Sequence, residues 1–509
     1  MDIIREFTIA PEKRFNYWCS WRTQNTVCKN KTLKKVVANG STRDAMSEEF
    51  LFGEVCVLEK TPREIRGDLI ALLDDGWDVP YGAEPKNISQ FGSFELNEER
   101  FPSFKGSPAE RLKEMSDRVK ALGWHGLGLW IAVQMHTGDG RKYSLDEARE
   151  YLRERLGWCA FADVKYLKLD WGINGNDVEV RTMINDEAKK IAPGMVIEQA
   201  NLRNFLDVRY SDRRGEKYES MKKRITGCLM NGDAFRVYDA TAQFRHTTLI
   251  ARTAETLEVI APDADRCGSM INVEDGVYIG ASLGCSIGAM RCYPCETDPA
   301  NNYSSVIETP TNTLARALRF QRVAPPFAVN ESEYLVSDEI VQDSYKYPKT
   351  DKRVWPGLSE QLIAQDCNQA VSRGLPLPTA ENCESGEKPI VLCAKNPRSG
   401  VSSVFVSPRT IGGSCFHSVL ADITLRGCDA DKPVGIFGHY KSLTVVFDTD
   451  MTGRRVYGQD LLSDEAVDIT DGVRIDGRRL VISGELIERI GLSFRECETE
   501  LPGMLILAR

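Results

Sequence analysis

Short apolar runs alternate with capped, amphipathic helices over about the first 310 residues of this 509-residue chain. A capping box, Ser107 followed by Glu110 with Pro108 at the first helical position, begins one such helix, and residues 144–147 repeat the capping pattern. The apolar runs are short, as in residues 126–133, and are typical of strands buried in a parallel sheet. The pattern therefore predicts an α/β fold in which helices connect parallel strands.

Counting these runs gives about eight strands with intervening helices. A (β/α)8 barrel typically needs about 250 residues, so the available length accommodates one. A doubly wound sheet is the alternative, but the phosphate-binding loops typical of that fold, GxGxxG after a strand and GxxxxGK[ST], are absent from the sequence. We therefore expect a barrel. Its predicted strands are residues 15–21, 68–74, 126–133, 164–169, 195–197, 235–238, 277–280 and 288–292.

The sequence pattern changes after about residue 325, and we divide the chain into three parts. Residues 1–325 are expected to form the barrel. Residues 326–388 are rich in Pro, Asn, Ser and charged residues, and we expect them to connect two folded parts. Within residues 389–509, short β-runs such as 390–393 and 443–447 are separated by turns of Gly, Asp and Lys. They predict a C-terminal antiparallel β-sandwich.

Composition restricts the partners and the location of the protein. The chain has 65 Lys and Arg against 74 Asp and Glu, a net charge of −9, and no basic run. We therefore expect neither nucleic acid nor an anionic membrane surface as a partner. No apolar stretch approaches the roughly 20 residues of a transmembrane helix, and no apolar core follows the N-terminal residues. These features predict a cytoplasmic protein.

The cysteines favour reduced thiols over a disulfide framework. There are 15 of them, an odd number, spread over a large chain without an export signal. A single CxxC sequence joins Cys292 and Cys295, and none of the five histidines is close to it. Zinc sites usually recruit a second cysteine pair or nearby histidines, so we expect no metal site there.

Charged and aromatic residues follow four of the predicted strands. In a barrel, the C-terminal strand ends form one rim, where the chemistry of this fold is located. Sugar sites need such a mixture, because carboxylates and lysines hold hydroxyl groups while an indole face covers the apolar side of the ring. The residues are Asp74, Asp75 and Trp77 after the second strand, Lys168, Asp170 and Trp171 at the fourth, Glu198 and Gln199 at the fifth, and Arg236 and Asp239 at the sixth.

Each of these features also has a purely structural interpretation. An acidic pair such as Asp74–Asp75 is often part of a solvated loop, and Lys168 and Asp170 lie on the same side of a strand, where they could form an ion pair. Four separate strand ends nevertheless carry this chemistry in chain order, which favours a functional site. The tryptophans that could instead pack at the mouth of the barrel are Trp18, Trp21, Trp77 and Trp171.

Four motifs follow one another along the chain: YWCSW (17–21), LLDDGW (72–77), YLKLDW (166–171) and FRVYD (235–239). In this order they resemble the α-galactosidase clan of retaining glycoside hydrolases, families 27 and 36. The first is similar to the WCTW of raffinose-synthase-like members and, more distantly, to the GWNSW of other α-galactosidases. RFPS (100–103) and LGLWIA (127–132) resemble the second helix and third strand of the clan. The resemblance covers about residues 14–295 and implies a barrel followed by a β-sandwich.

The most specific match is LKLD, because the nucleophile of the clan is the Asp of a K-x-D strand end. The resemblance maps the nucleophile onto Asp170, and Lys168 onto a ligand of the sugar hydroxyls. It maps the aspartate pair that holds the 4- and 6-hydroxyls onto Asp74 and Asp75, with Trp77 beside them. Four further residues are implied to touch the sugar, and they are Trp18, Trp21, Arg236 and, towards the 2-substituent, Glu198.

The acid/base residue maps onto Asp239. Its spacing from Arg236 is three residues, whereas the pattern of the clan has four, and a strict count reaches Ala240, which has no carboxyl group. Glu274 and Asp275 are the alternative acid/base residues.

The resemblance implies a retaining exo-glycosidase that hydrolyses terminal α-D-galactosyl residues of oligosaccharides or glycosides by double displacement. Lys168 beside Asp170 would keep the nucleophile ionised. No metal or organic cofactor is required for this chemistry. Alternatives within the clan are a β-L-arabinopyranosidase, an α-N-acetylgalactosaminidase or a galactosyl transglycosylase; outside it, the alternative is a non-catalytic carbohydrate-binding barrel. Many members are oligomeric, so a homo-oligomer is a further expectation.

Overall fold

Eight parallel strands form a closed barrel in the computed structural model, which describes residues 1–10, 13–30, 42–53, 56–84, 90–200, 216–237, 245–290, 309–346 and 362–509. The strands neighbour one another in chain order, β8 pairs with β1, and a bridge between Asn272 and Ser286 closes the ring. The predicted barrel is confirmed. Its strands are β1 Tyr17–Cys19, β2 Ile70–Leu73, β3 Gly126–Ile131, β4 Tyr166–Leu169, β5 Val196–Gln199, β6 Ala234–Val237, β7 Met270–Val273 and β8 Gly288–Ala289.

Helices surround the barrel. Ser107 and Ser144 cap α6 and α7 through reciprocal hydrogen bonds with Glu110 and Glu147, as the sequence predicts. The helices are α1 Ile3–Phe7, α2 Trp21–Asn30, α3 Glu48–Phe52, α4 Val57–Lys60, α5 Arg63–Arg66, α6 Pro108–Ala121, α7 Leu145–Phe161, α8 Val178–Ile191, α9 Glu216–Met230, α10 Arg245–Ile260, α11 Val277–Leu283 and α12 Thr311–Val323, with 3-10 turns at Thr42–Ala45, Ala261–Arg266 and Val329–Glu331.

One predicted strand is wrong. Residues 277–280 belong to α11, and the seventh strand is instead Met270–Val273. Every residue of α11 is buried, so the helix shows no polar face. A short apolar run without such a face is read equally well as a buried strand. Gly284, with φ of 63°, ends the helix, and a Cβ there would lie 1.9 Å from the Phe327 ring.

Side chains alternate between the inside and the outside of the barrel, as in any strand. In β1, Tyr17 and Cys19 point inward, whereas Trp18 packs against Trp124 in the layer between strands and helices. A Cβ at Gly288 would lie 2.6 Å from the Tyr17 ring, so this glycine makes room for the tyrosine. The inward apolar cluster contains Tyr17, Cys19, Ile70, Leu72, Tyr166, Val196, Ala234, Met270 and Ala328.

A β-sandwich follows the barrel. Its eight-stranded sheet (order β22-β21-β25-β19-β15-β14-β12-β9) faces a five-stranded sheet (β13-β18-β20-β24-β23), and most pairs are antiparallel. The strands are β9 Tyr334–Val336, β10 Ile340–Lys346, β11 Leu362–Asn368, β12 Ala370–Arg373, β13 Thr379–Glu381, β14 Ile390–Lys395, β15 Ser402–Ser407, β16 Arg409–Ile411, β17 Ser414–His417, β18 Asp422–Cys428, β19 Val434–Phe437, β20 Ser442–Phe447, β21 Val456–Asp460, β22 Val467–Asp468, β23 Arg474–Asp476, β24 Arg479–Ser483 and β25 Gly503–Ala508, with helix α13 Gly484–Gly491 and 3-10 turns at Glu384–Gly386 and Thr470–Gly472.

The segment expected to connect the two parts contributes strands to the sandwich. Strands β9 and β12 lie at one end of the eight-stranded sheet, so the sheet begins well before residue 389. Strands β12 and β14 are parallel, as are β15 and β19, and β18 and β20. Within the described ranges, no helix is long and apolar enough to span a membrane.

The outer face of the eight-stranded sheet packs directly on the barrel. Phe437 lies 4.6 Å from Tyr278 of α11 and 5.1 Å from Phe320 of α12, measured between ring centroids. Nearby, the buried Arg316 forms ion pairs of 2.9 Å with Asp460 and 2.8 Å with Glu500. Apolar packing and fully paired charges therefore hold the sandwich beside the helix that follows β7.

Candidate active site

Charged side chains replace apolar ones in the layer of the barrel interior nearest the C-terminal strand ends. Because alternate residues of a strand point inward, the residue two positions after an interior side chain occupies this layer. Five strands supply it, and all five side chains are buried. These residues are Asp74, Lys168, Glu198, Arg236 and Glu274.

Lys168 joins two of these carboxylates. Its Nζ lies 3.1 Å from Oδ2 of Asp74 and 3.3 Å from Oε2 of Glu274, and the thiol of Cys19 donates to the same Asp74 oxygen at 3.1 Å. Burial would lower the pKa of Lys168, but the surrounding negative groups outweigh it and raise that pKa well above its ordinary value. The lysine is therefore charged. Its salt bridges go to Asp74 and Glu274. The sequence had suggested an ion pair between Lys168 and Asp170 instead.

Glu274 is the centre of this network. Nη1 of Arg236 lies 3.3 Å from its Oε1, and the hydroxyl of Tyr17 donates to its Oε2 at 2.8 Å. Burial raises the pKa of Glu274, but Arg236 and Lys168 outweigh that effect and bring the pKa to about 2. A carboxylate held ionised in this way is poorly suited to donate a proton near neutral pH. Asp275 is the other residue that the sequence offered as an alternative acid/base. It accepts a hydrogen bond of 2.8 Å from the backbone nitrogen of Met290.

Asp170 differs from the other strand-end carboxylates because it is partly exposed. The indole Nε1 of Trp130 donates a hydrogen bond of 2.9 Å to its Oδ2. The carbonyl of Trp130 in turn accepts a hydrogen bond of 2.7 Å from Nε1 of Trp77. Trp130 was not among the predicted site residues, although it shares a strand face with Gly128, and the alternation of β3 could have placed it inside.

The two predicted hydroxyl-binding aspartates point in different directions, because consecutive residues face opposite sides of a strand. Asp74 points into the barrel, whereas both oxygens of Asp75 accept hydrogen bonds of 2.7 Å from Nε and Nη2 of Arg43. Burial raises the pKa of Asp75 to about 6, although Arg43 opposes this. Both oxygens of Asp75 are therefore already engaged by Arg43.

Three other predicted substrate contacts are buried in the structure. Trp18 faces outward and packs against Trp124, and Trp77 is fully buried. Glu198 belongs to the charged layer but has no exposed surface, and the hydroxyl of Tyr166 donates to it at 2.7 Å. Burial raises the pKa of Glu198 to about 7, against the effects of Arg236 and Lys168. Trp21, at the start of α2, is partly exposed and packs against the interior cluster.

Some predicted residues lie outside the part of the chain that the structure describes. They include Asp239, which follows the end of β6 by two residues, and the Cys292–Cys295 pair. Within the described ranges, no group of three or more His, Cys, Asp or Glu residues is arranged to hold a metal ion.

No family model and no curated protein match this sequence. The chain is similar to a Bacteroides fragilis protein provisionally assigned as an α-galactosidase, with 11% identity and a TM-score of 0.41 over 97% of this chain and 79% of that one. The family 27 β-L-arabinopyranosidase of Geobacillus stearothermophilus, in complex with arabinose, shows 9% identity and a TM-score of 0.38 over 97% of both chains. A Bacillus halodurans protein provisionally assigned as an α-N-acetylgalactosaminidase shows 12% identity and a TM-score of 0.38 over 95% and 99%. At these values the function must be argued from the residues of the site itself.

Proposed function

We propose that the protein is a retaining glycoside hydrolase that removes terminal α-D-galactosyl residues, with Asp170 as the nucleophile. The observation that supports this assignment most directly is the contrast between Asp170 and its neighbours. Asp74, Asp75, Glu198 and Glu274 are buried in ion pairs or hydrogen bonds, whereas Asp170 is partly exposed at the rim. A nucleophile must reach the anomeric carbon, and a carboxylate fixed by one donor on one oxygen keeps the other oxygen available.

In the first step, an oxygen of Asp170 bonds to the anomeric carbon while the bond to the leaving oxygen breaks. The leaving oxygen takes a proton from a second carboxylic acid, which then removes a proton from the water that releases the sugar. We assign that second role to Asp239 on the basis of the FRVYD motif. Retaining enzymes place the two carboxyl groups about 5–5.5 Å apart, one on each side of the scissile bond.

The charged layer behind Asp170 suits the binding of a polyhydroxylated ring. Asp74 can accept hydrogen bonds from hydroxyl groups, while Lys168 and Arg236 can donate to their oxygens. Because Asp74 and Glu274 balance the charges of Lys168 and Arg236 in a chain of ion pairs, the groups can orient a sugar without rearranging. The partly exposed indole of Trp21 can cover the apolar face of the ring.

The test is a proton NMR time course with p-nitrophenyl α-D-galactopyranoside. The wild type is expected to release the α-anomer first, and Asp170→Asn is expected to be inactive. Asp146→Asn, at an exposed position on α7, is the control and should match the wild type. Activity of Asp170→Asn equal to that of the wild type would exclude Asp170 as the nucleophile.

Azide separates the roles of the two carboxyl groups. In Asp170→Ala, azide enters from the face that the nucleophile occupied, so the expected product is the β-galactosyl azide. In Asp239→Ala, azide instead releases the sugar from the covalent intermediate, and the expected product is the α-azide. The opposite pairing of products would reverse the two assignments, and an inert wild type would favour the carbohydrate-binding alternative.

Asp75 favours a second candidate, a β-L-arabinopyranosidase. This sugar has the configuration of α-D-galactopyranose but lacks the hydroxymethyl carbon. The resemblance implies that the aspartate pair holds the 4- and 6-hydroxyls, yet both oxygens of Asp75 are bound by Arg43. Because Asp75 is bound by Arg43 and does not hold a 6-hydroxyl, the site gives up no hydrogen bond when the substrate lacks that hydroxyl. The comparison of kcat/KM for the two p-nitrophenyl glycosides decides between the candidates.

A further inference from the structure

A buried arginine lies directly behind the proposed nucleophile. Arg181, on α8, has 2% of its surface exposed. Its Nη2 donates to the backbone carbonyl of Asp170 at 2.7 Å, and its Nη1 donates to the carbonyl of Leu169 at 3.2 Å and to Oε1 of Gln199 at 2.9 Å. Its Nε donates to the carbonyl of Gly175 at 2.7 Å. The guanidinium therefore joins the ends of β4 and β5 to the loop after Asp170.

This loop makes a tight turn that needs such support. Gly172 has φ of 144°, and a Cβ at this position would lie 2.2 Å from the carbonyl oxygen of Val133. Arg181 binds a carbonyl on either side of the turn, at Asp170 and at Gly175. The main chain of Asp170 is thus held from behind, while Trp130 holds its side chain.

The charge of Arg181 has no carboxylate within ion-pair distance among the described residues, whereas the buried Arg316 and Arg409 each pair with an aspartate. Burial lowers the pKa of Arg181, yet a guanidinium remains protonated in proteins. A buried cation without a counterion is costly, so its position behind a reacting carboxylate calls for an explanation.

We propose that Arg181 is a positioning residue for the nucleophile: its guanidinium fixes the main chain at Asp170 and the turn that follows it. The inference rests on the proposed role of Asp170. It goes beyond the resemblance, because Arg181 lies on a helix outside every motif that carries it. The planar fork of the guanidinium is essential to this role, since it reaches three carbonyl oxygens and an amide oxygen at once.

Arg373 offers a matched control. It too is buried, its hydrogen bonds go to backbone carbonyls such as those of Leu283 and Ala328, and no described carboxylate forms an ion pair with it. Burial also lowers the pKa of Arg373. Because Arg373 belongs to β12 of the sandwich, Arg373→Gln should cost folding stability without touching the nucleophile.

The experiment compares Arg181→Gln, Arg181→Lys and Arg373→Gln for kcat and KM with p-nitrophenyl α-D-galactopyranoside. We expect Arg181→Gln to lower kcat about 100-fold, since small displacements of a reacting group cost that much, while KM changes less than about two-fold. Arg181→Lys keeps the charge but not the fork, so it should restore only part of kcat.

Hydrogen–deuterium exchange of the peptide covering residues 166–177 provides a readout independent of activity. Exchange should rise in Arg181→Gln and remain at the wild-type level in Arg373→Gln. Equal kcat and equal exchange in the two glutamine variants would overturn the inference. A wild type that hydrolyses no glycoside would defeat the proposed function, and the exchange comparison would then decide the positioning role alone.

Discussion

The indole nitrogen of Trp130 donates a 2.9 Å hydrogen bond to Oδ2 of Asp170, which fixes one oxygen of the only partly exposed carboxylate among the five described residues Asp74, Asp75, Asp170, Glu198 and Glu274. Trp130 itself is almost completely buried, and its carbonyl is bound by Trp77. The orientation of Asp170 is therefore set by a side chain that has little freedom to move.

Replacing Trp130 by Phe should remove this donor while keeping an aromatic ring in place. Hydrogen bonds to charged groups contribute about 1.5–3 kcal/mol, so we expect kcat to fall about 10- to 100-fold. Trp124→Phe is the matched control, because the Trp124 indole is also buried and donates to the carbonyl of Leu58 on the outside of the barrel. A similar loss of kcat in both variants would show that packing, rather than the hydrogen bond, is responsible.

Glu274→Gln should change the pH dependence of stability at acidic pH. The pKa of Glu274 is about 2 in the folded protein and 4.5 in the reference state. A lowered pKa contributes stability that is present above pH 4.5 and is lost as the pH falls towards 2, and the total is about 3 kcal/mol at 1.4 kcal/mol per unit. The wild type should therefore exceed the variant in free energy of unfolding near neutral pH and lose this advantage on acidification. Urea unfolding at a series of pH values measures it, and a difference independent of pH would contradict the prediction.

Glu198→Gln should act in the opposite direction. The pKa of Glu198 is raised from 4.5 to about 7, so the folded protein retains a proton that the unfolded chain loses. Stability from this group is complete below pH 4.5 and is lost as the pH rises through about 7. We expect the melting temperature of the variant, relative to the wild type, to increase between about pH 5 and pH 8. The absence of any relative change would contradict the prediction and show that Glu198 is ionised at all of these pH values.

Arg43→Ala should alter substrate preference by releasing Asp75. Both oxygens of Asp75 would then be available, and the ratio of kcat/KM for the α-galactoside to that for the β-L-arabinopyranoside should rise. Recognition of one additional hydroxyl corresponds to about a ten-fold change. Arg155→Ala is the control. Arg43 and Arg155 each lie over two aromatic rings, but Arg155 is on α7 and does not contact Asp75. An unchanged ratio in Arg43→Ala would mean that Asp75 does not reach the sugar.

The sequence predicts the barrel and the layer of charged strand ends because both follow from period-two alternation. The sequence-based prediction of the site was wrong for residues that belong to a motif but whose side chains do not point into the barrel. Asp74 and Asp75 form one motif, yet only Asp74 points inward, and the partner of Asp75, Arg43, lies 32 residues earlier in the chain. Trp18 faces outward because it lies between Tyr17 and Cys19, which point into the barrel, and neighbouring residues of a strand point to opposite sides.

Long-range partners were beyond the reach of local patterns. Arg181 sits in an ordinary amphipathic helix, and only the packing of α8 against β4 and β5 shows where its guanidinium lies. Helix α11 was taken for a strand because burial on every side removes the polar face that distinguishes a helix.

The packing of Phe437 against Tyr278 and Phe320 joins the sandwich to the barrel through a shared apolar contact. Arg373 of β12 reinforces this, because it donates to carbonyls at the end of α11 and at Ala328. A chain that stopped before β9 would expose these aromatic rings to water and leave Arg316 without Asp460 and Glu500. We therefore expect the sandwich and the barrel to melt together, so that loss of the sandwich disrupts the charged layer of the barrel in the same calorimetric transition.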